Sequence, residues 1–411
     1  MKDLTEELQA RIDAAARDGG GEVLVAAGHW GFRPLELKSG VCLTLAAGCV
    51  LTASGERRDY QPIGVDHNEM GQVHSALFAK QAVNVTVRGP GLLDLNGDAF
   101  YHLDKPSSDD PEAPLTYDWR PNQPVFFHQC TNVRLLDLNV LNAPCWTFSF
   151  DRCQSVQARG LTIRNSLRLP NNDGLHFCGC RDVLVTGCDI VAGDDCVALS
   201  SITDWNVPCQ DVVITDCVFQ SASKALSIGY MHSIVRNVLV ANVVVKASNR
   251  AFVSMVHPHT GLVENVRVTN CLLEGRHYGG NWWGNGEALV LMATPHDIPR
   301  YRDPIPAPRF DVSVRNVQFD QISCRAERPL AFVGQEPGLF EGVSLNRVVI
   351  DLYDDPRPNA KGDTIDLSPG PKNLQVPRPS TGVLQVNADI RLVDVTDARD
   401  NALTATTLSA V

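Results

Sequence analysis

The sequence contains no run of about 18 apolar residues, so nothing in it reads as a membrane-spanning helix. It is also short of positive charge: 36 Lys and Arg stand against 47 Asp and Glu, a formal net charge of −11. Nucleic acids and acidic membranes select a basic surplus, so neither is an expected partner. A neutral glycan is compatible with this balance, and a strongly anionic polymer is disfavoured. The start, Met1-Lys2-Asp3-Leu4-Thr5, lacks the basic and apolar regions of a secretory leader, and the expectation is a cytoplasmic protein. Thirteen cysteines, an odd number, then read as reduced thiols. None of the Cys and His spacings suits a tetrahedral metal site, so no metal or other cofactor is expected. Helical periodicity is scarce too. One helix is predicted, over residues 3–18, with Asp3 as N-cap, Leu4, Leu8 and Ile12 on one face, and Gly19-Gly20-Gly21 as the stop.

What fills the rest is a repeat. A polar residue and a valine are followed by apolar residues two, five and seven positions on. The anchors Val133, Val156, Val183, Val212, Val238 and Val266 are spaced by 23, 27, 29, 26 and 28 residues. Val85 precedes them, and Val312 and Val343 are expected to follow. A period in the twenties means a solenoid, and alternating β-branched residues mean strands. With no helical pattern in the gaps, the predicted fold is all-β, a parallel β-helix with an N-terminal capping helix. Cys130, Cys153, Cys180 and Cys209 each precede an anchor by three residues, whereas Cys188, Cys217 and Cys271 follow one by five. Equal offsets stack each set in a column; a ladder of small buried side chains is the expected use, with disulfides down the column as the alternative. Residues 1–370 form the expected β-helix domain. Residues 371–411 lose the period, and Val383–Val386 and Ile390–Val395 are expected as strands of an extension folded back along the outside. Long departures at Tyr101–Pro121, Gly275–Gly286 and Pro295–Arg309 are expected to build one functional face.

Register arithmetic then collects charge. Asp195 lies twelve residues after Val183, Lys224 twelve after Val212, and Arg250 twelve after Val238. Allowing for insertions, Asp173 falls one coil earlier and Glu287 one coil later. The predicted column is Asp173, Asp195, Lys224, Arg250 and Glu287, on coils about 4.8 Å apart. An exposed, self-neutralising charge ladder is the bland alternative. Against it, Asp173, Asp194 and Asp195 crowd at one end, where clustered carboxylates raise one another's pKa and one can hold a proton near neutrality. One protonated acid and one ionised base are what glycoside hydrolysis requires, and an inverting pair stands about 6.5–9.5 Å apart. Beside the column, Trp282-Trp283-Gly284-Asn285-Gly286-Glu287 offers aromatic faces for sugar rings, with a hydrophobic loop anchor as the competing reading. His176 and His257 lie near the column and are candidate substrate contacts, although a structural role competes for each. Trp146 reads as packing beneath the cleft.

Asn171-Asn172-Asp173-Gly174 and Gly193-Asp194-Asp195-Cys196 resemble the Asn-Thr-Asp and Gly/Gln-Asp-Asp motifs of the polygalacturonase family, glycoside hydrolase family 28. Further similarity lies in Ile12-Asp13-Ala14-Ala15, Leu35-Glu36-Leu37-Lys38-Ser39, Arg120-Pro121 and Asn142-Ala143-Pro144-Cys145-Trp146, and covers about residues 3–270. The resemblance implies a single-stranded right-handed parallel β-helix, the pectin-lyase-like solenoid, and a metal-free inverting hydrolase. Carried over, Asp195 is the general acid, and Asp173 and Asp194 activate the attacking water. Two motifs differ. Ser223-Lys224-Ala225 stands where the family has Gly-His-Gly. The carboxylate-reading Arg-Ile-Lys falls near Val253-Ser254-Met255, with only Arg250 close by. The expected function is therefore an exo-acting glycoside hydrolase whose partner is an oligosaccharide other than plain galacturonan. Lys224, Arg250, Glu287, Trp282, Trp283, His176 and His257 are its expected substrate contacts. A lyase or uronate epimerase using Lys224 and Arg250 is the second reading, and a non-catalytic glycan-binding β-helix the third.

Overall fold

The computed structural model describes residues 1–280, 282–296, 307–357, 363–370, 373–376 and 382–408. They form a single-stranded right-handed parallel β-helix. Each coil of its middle section contributes one strand to each of three faces. The coil around Asp195 shows the plan: Arg181–Thr186, Asp189–Ala192 and Val197–Ser200 each pair in parallel with their counterparts in the coils above and below. A polar corner just before each anchor valine explains this geometry. Asn132, Ser155, Asp182, Asp211, Asn237, Asn265 and Asn316 all sit at φ between 52° and 59°, the left-handed region that Asn and Asp tolerate best among side-chain-bearing residues. Their amides bridge successive coils, as in Asn237 Nδ2 to Asp211 Oδ1 (2.8 Å) and Asn316 Nδ2 to Asn265 Oδ1 (2.8 Å). The valine after each corner turns inward.

The anchor column runs as expected from Val85 to Val266. One coil further, Val266 pairs with Val317, not with the expected Val312. Asn316 makes the left-handed corner there, and the residue after the corner takes the inward position. Within the core, Phe127, Phe150 and Phe177 stack at centroid distances of 5.2 and 4.8 Å. All thirteen cysteines are free, and all but the half-buried Cys42 are buried. They serve as ladder side chains, with the Cys130, Cys153 and Cys180 sulfurs meeting the backbone carbonyls of Ala79, Phe127 and Phe150 in the preceding coils.

Helix Thr5–Arg17 covers the first coil, burying Leu8 and Ile12. Its N-cap position is Leu4, one residue later than predicted; Asp3 instead accepts from the Thr5 backbone N–H (2.7 Å). At the other end the structure departs from the expected outer extension. Val383–Val386 pairs in parallel with Leu330–Gly334, and Ile390–Asp397 with Val343–Leu352. These strands prolong the solenoid by another coil, because an inward-outward alternation pairs with an open strand edge at no cost in register. Of the loop expected at Pro295–Arg309, 297–306 lie outside the described residues.

The faces are not equivalent. On the first, strands alternate buried and exposed, as in Arg181–Thr186. On the third, Leu175–Cys178, Val197–Ser200, Arg250–Val256 and Glu287–Ala293 are buried on both sides. Loops cover that face, and it carries the candidate site.

Candidate active site

Two turns leading into third-face strands set the acids. In the first, Asn172 accepts the Gly193 N–H on Oδ1 (2.5 Å) and donates from Nδ2 to Ser166 O (2.9 Å), locking one coil's turn to the next. The glycines are forced by this approach. A Cβ on Gly193 would lie 2.4 Å from Leu169 O, and one on Gly174 2.5 Å from Cys196 O. Buried Arg120 donates to Asn171 Oδ1 (2.8 Å) and to Pro144 O (2.8 Å), and Asn171 donates onward to Asp194 Oδ2 (3.3 Å). The backbone N–H of Gly174 bonds Asp195 O, and that of Cys196 bonds Lys224 O, placing Asp173, Asp195 and Lys224 on successive coils. Lys224 pairs directly with Arg250, and Arg250 with Glu287. The five-residue column is therefore present in the backbone register.

Its side chains divide into two groups. Asp173, Asp194, Asp195 and Lys224 face a cavity of about 260 Å³, together with Glu69, Asn171, His176, Trp146, Tyr230, Trp282 and Trp283. Ligand clefts run from about 300 to 1,000 Å³, so this space suits one or two sugar rings. Lys224 Nζ lies 2.8 Å from Asp195 Oδ1 and 3.1 Å from Asp194 Oδ1, and 5.0 Å from the centre of the Trp283 ring. Burial raises Asp195 well above the usual aspartate range; Lys224 opposes the rise, and the neighbouring Asp194 and Asp173 add to it. Asp173 is raised likewise, by burial and by Asp194. Burial pulls Asp194 upward as well, but the Lys224 ammonium and hydrogen bonds from Asp195, Lys224 and Ser223 hold it below the ordinary range. Burial opposes the Lys224 charge, yet the aspartates raise its pKa overall. One depressed and two raised carboxyls on adjacent coils can supply an ionised base and a protonated acid.

Arg250 and Glu287 occupy their expected column positions but do not line this cavity. Both are fully buried. Arg250 donates to Ser368 O (3.2 Å) and to Asp366 O, and its guanidinium lies 3.7 Å from Glu287 Oε2 and 3.8 Å from Asp366 Oδ2. Glu287 accepts the N–H groups of Asn285 (2.8 Å) and Asp366 (3.1 Å), while Asp366 accepts that of Gly284 (2.7 Å). The physical reason is coverage: residues 363–368 and the Trp282–Gly286 turn lie over these two coils. The pair thereby anchors the turn that presents Trp282 and Trp283. Trp282 is further tied by Nε1 to Glu112 O (3.1 Å), and Glu112 pairs with Arg276 (2.5 Å) and Arg357 (3.3 Å).

The histidines also divide. His257 lies outside the cavity lining, its ring 4.3 Å from His232 and 4.9 Å from His296, and its Nε2 accepts the His296 N–H (3.0 Å). His176 lines the cavity, but both ring nitrogens have protein partners, Asp173 Oδ2 (2.7 Å) and Ser200 Oγ (3.1 Å). Trp146 stacks on His176 at 3.7 Å, the packing role expected for it. Glu69, Asp366 and Tyr230 were not singled out by the sequence. Glu69 and Asp366 come from segments outside the regular repeat, and Tyr230 follows a register shift within its strand, so periodicity holds no signal for them. Among the described residues no group of His, Cys, Asp and Glu is arranged to hold a metal ion.

The sequence model described as glycosyl hydrolases family 28 matches residues 37–280, more than half of the chain. A polygalacturonase from Malus domestica is 31% identical over 192 residues, covering 46% of this chain and 38% of that protein. Polygalacturonase QRT2 from Arabidopsis thaliana is 25% identical over 282 residues, covering 64% and 57%. The matches thus span less than two thirds of these relatives' lengths. Among solved structures, a hyperthermoactive exopolygalacturonase from Thermotoga maritima superposes with a TM-score of 0.70 at 17% identity, covering 96% of this chain and 88% of that one. At that identity the likeness is one of fold.

Proposed function

Because the chain belongs to glycosyl hydrolase family 28, we propose that it is an inverting, exo-acting hydrolase of oligosaccharides other than plain galacturonan. The observation that carries this reading is the buried trio Asp173, Asp194 and Asp195, bound together by Lys224 in a small cavity walled by Trp282 and Trp283. In this reading Asp195, held protonated by burial, gives its proton to the departing glycosidic oxygen. Asp194, held ionised beside Lys224, takes the proton of a water that attacks the anomeric carbon from the opposite face, and Asp173 helps to orient that water. The bond from anomeric carbon to leaving oxygen breaks as the bond to water oxygen forms, which inverts the anomer.

Exo action is supported by the cavity's size and by the Glu112, Arg276 and Arg357 ion network that ties its covering loops together. Among the described lining residues four acidic side chains face one lysine, which speaks against a polyuronate. The elimination reading needs Lys224 and Arg250 on one substrate, and the Arg250 guanidinium is turned to Ser368, Asp366 and Glu287.

The test is an oligosaccharide panel with wild type and Asp195→Asn, following reducing-end release and, by NMR, the anomer first formed. The expected result is single-sugar release with inversion and a rate roughly 10²–10⁴-fold lower in the variant. An unsaturated product would establish elimination instead, and undiminished turnover by the variant would remove Asp195 from the chemistry.

A further inference from the structure

His176 has no nitrogen left for a substrate, yet it sits in the wall of the site. Its Nδ1 is 2.7 Å from Asp173 Oδ2 and its Nε2 is 3.1 Å from Ser200 Oγ. The ring lies against Trp146, 3.7 Å between centroids and 18° from parallel. His176, Asp173, Ser200 and Trp146 are all buried, so the arrangement has little freedom to turn. The second oxygen of the same carboxylate, Asp173 Oδ1, is buried without a hydrogen-bond partner among the described residues. An orphaned carboxylate oxygen beside a cavity is costly unless something from the cavity meets it.

We propose that His176 is a positioning residue for Asp173: it donates its Nδ1 proton to Oδ2 and leaves Oδ1 as the oxygen that meets the attacking water. This rests on the hydrolase reading given above. The direction of the hydrogen bonds follows from what lies beyond. Cys178 Sγ is 3.2 Å from Ser200 Oγ, and burial keeps that thiol protonated. A thiol sulfur is a weak acceptor, and a hydroxyl oxygen is a good one. The order with the better acceptors is Cys178 S–H to Ser200 Oγ, Ser200 O–H to His176 Nε2, and His176 Nδ1–H to Asp173. The reverse order, which starts from a protonated Asp173, would end on sulfur. Burial also pushes His176 down to about 3, so the ring is neutral at working pH and has one proton to place. The charged groups acting on Asp173 are Asp194, Lys224 and Glu69, and those on His176 are Asp194 and Lys224. None of them replaces the Nδ1 donor on Oδ2.

The direct test is 15N NMR of histidine-labelled wild type near pH 7, with His176 assigned by its loss in His176→Gln. An Nδ1–H tautomer is expected, and an Nε2–H tautomer overturns the proposal. Neither outcome depends on turnover, so the result stands apart from the fate of the hydrolase reading. Kinetics supply the second arm. Asn can place an amide N–H where Nδ1 lies, Gln reaches only toward Nε2, and Phe keeps the stack on Trp146 alone. His176→Asn should stay within about tenfold of wild-type kcat. His176→Gln and His176→Phe should lose roughly 10²-fold in kcat with KM within a few-fold. Their acid limb should move to higher pH, because Asp173 loses a donor that favours its ionised form. An Asn variant no better than Gln and Phe would overturn the proposal, as would losses confined to KM.

Discussion

Lys224 holds Asp194 and Asp195 with one ammonium, and its removal separates the electrostatics of the site from its shape. In Lys224→Met the aliphatic stem beneath Trp283 is kept and the charge is lost. Burial raises Asp173, Asp194 and Asp195, and Lys224 is the charge that opposes it in all three. Without it every folded-state pKa rises. The base then needs a higher pH to ionise, and the acid keeps its proton to a higher pH. Both limbs of the kcat/KM profile should therefore move upward, with maximal activity down roughly 10²-fold or more. A profile that fell in height without moving would show that Lys224 acts by geometry alone. The linked effect on stability has the same sign. Asp194, depressed in the folded protein, contributes stability above its unfolded pKa that is lost as pH falls through the folded value. The variant should therefore gain less than wild type in melting temperature as pH rises from acid values.

Above the single residue, the Trp282–Gly286 turn is the element that closes the site, and a buried charge cluster fastens it. Arg250 and Glu287 continue the column whose first half lines the cavity, and Asp366 meets them from the covering segment. Loop coverage turned that second half into an anchor, because a guanidinium shut off from water is stable only when carbonyls and carboxylates surround it. Arg250→Met leaves Glu287 and Asp366 buried without their cation and should cost about 3–5 kcal/mol, read as a lower urea midpoint. Adding Glu287→Gln to that variant should recover part of the loss, the signature of coupling rather than two independent defects. Simple addition of the two losses would show that the residues are not a unit. The same cluster explains why covering segments distant in sequence, Glu112, Trp282 and Asp366, act together on one wall.

As a whole molecule the protein is a stack, and each coil protects the open edge of the one before it. Helix Thr5–Arg17 closes the first coil, and residues 382–408 add a last one over Leu330–Gly334 and Val343–Leu352. Ending the chain after 381 would expose those strand edges and the apolar residues beneath them, Phe332 and Leu345 among them. Terminal coils of solenoids cannot be removed without cost. The truncated chain should elute as oligomers or aggregates in size-exclusion chromatography, whereas a monodisperse product with wild-type elution would show that the last coil is dispensable.

The local sequence determined the coil, since a left-handed corner favours Asn, Asp or Gly and an inward position needs an apolar side chain. Both demands recur at fixed offsets, and counting them put Asp173, Asp195, Lys224, Arg250 and Glu287 in one column. The count slipped only after Val266, where an insertion moved the anchor to Val317, and at the C-terminus, where a short period resumed unrecognised. Column membership does not say which residues meet solvent. That was decided by loops that return from distant parts of the chain: residues 363–368 over Arg250 and Glu287, and the segment bearing Glu69 beside Asp173. Burial and the split of the column into a cavity-lining half and an anchoring half depend on contacts far apart in sequence. Periodicity records only what neighbouring coils share.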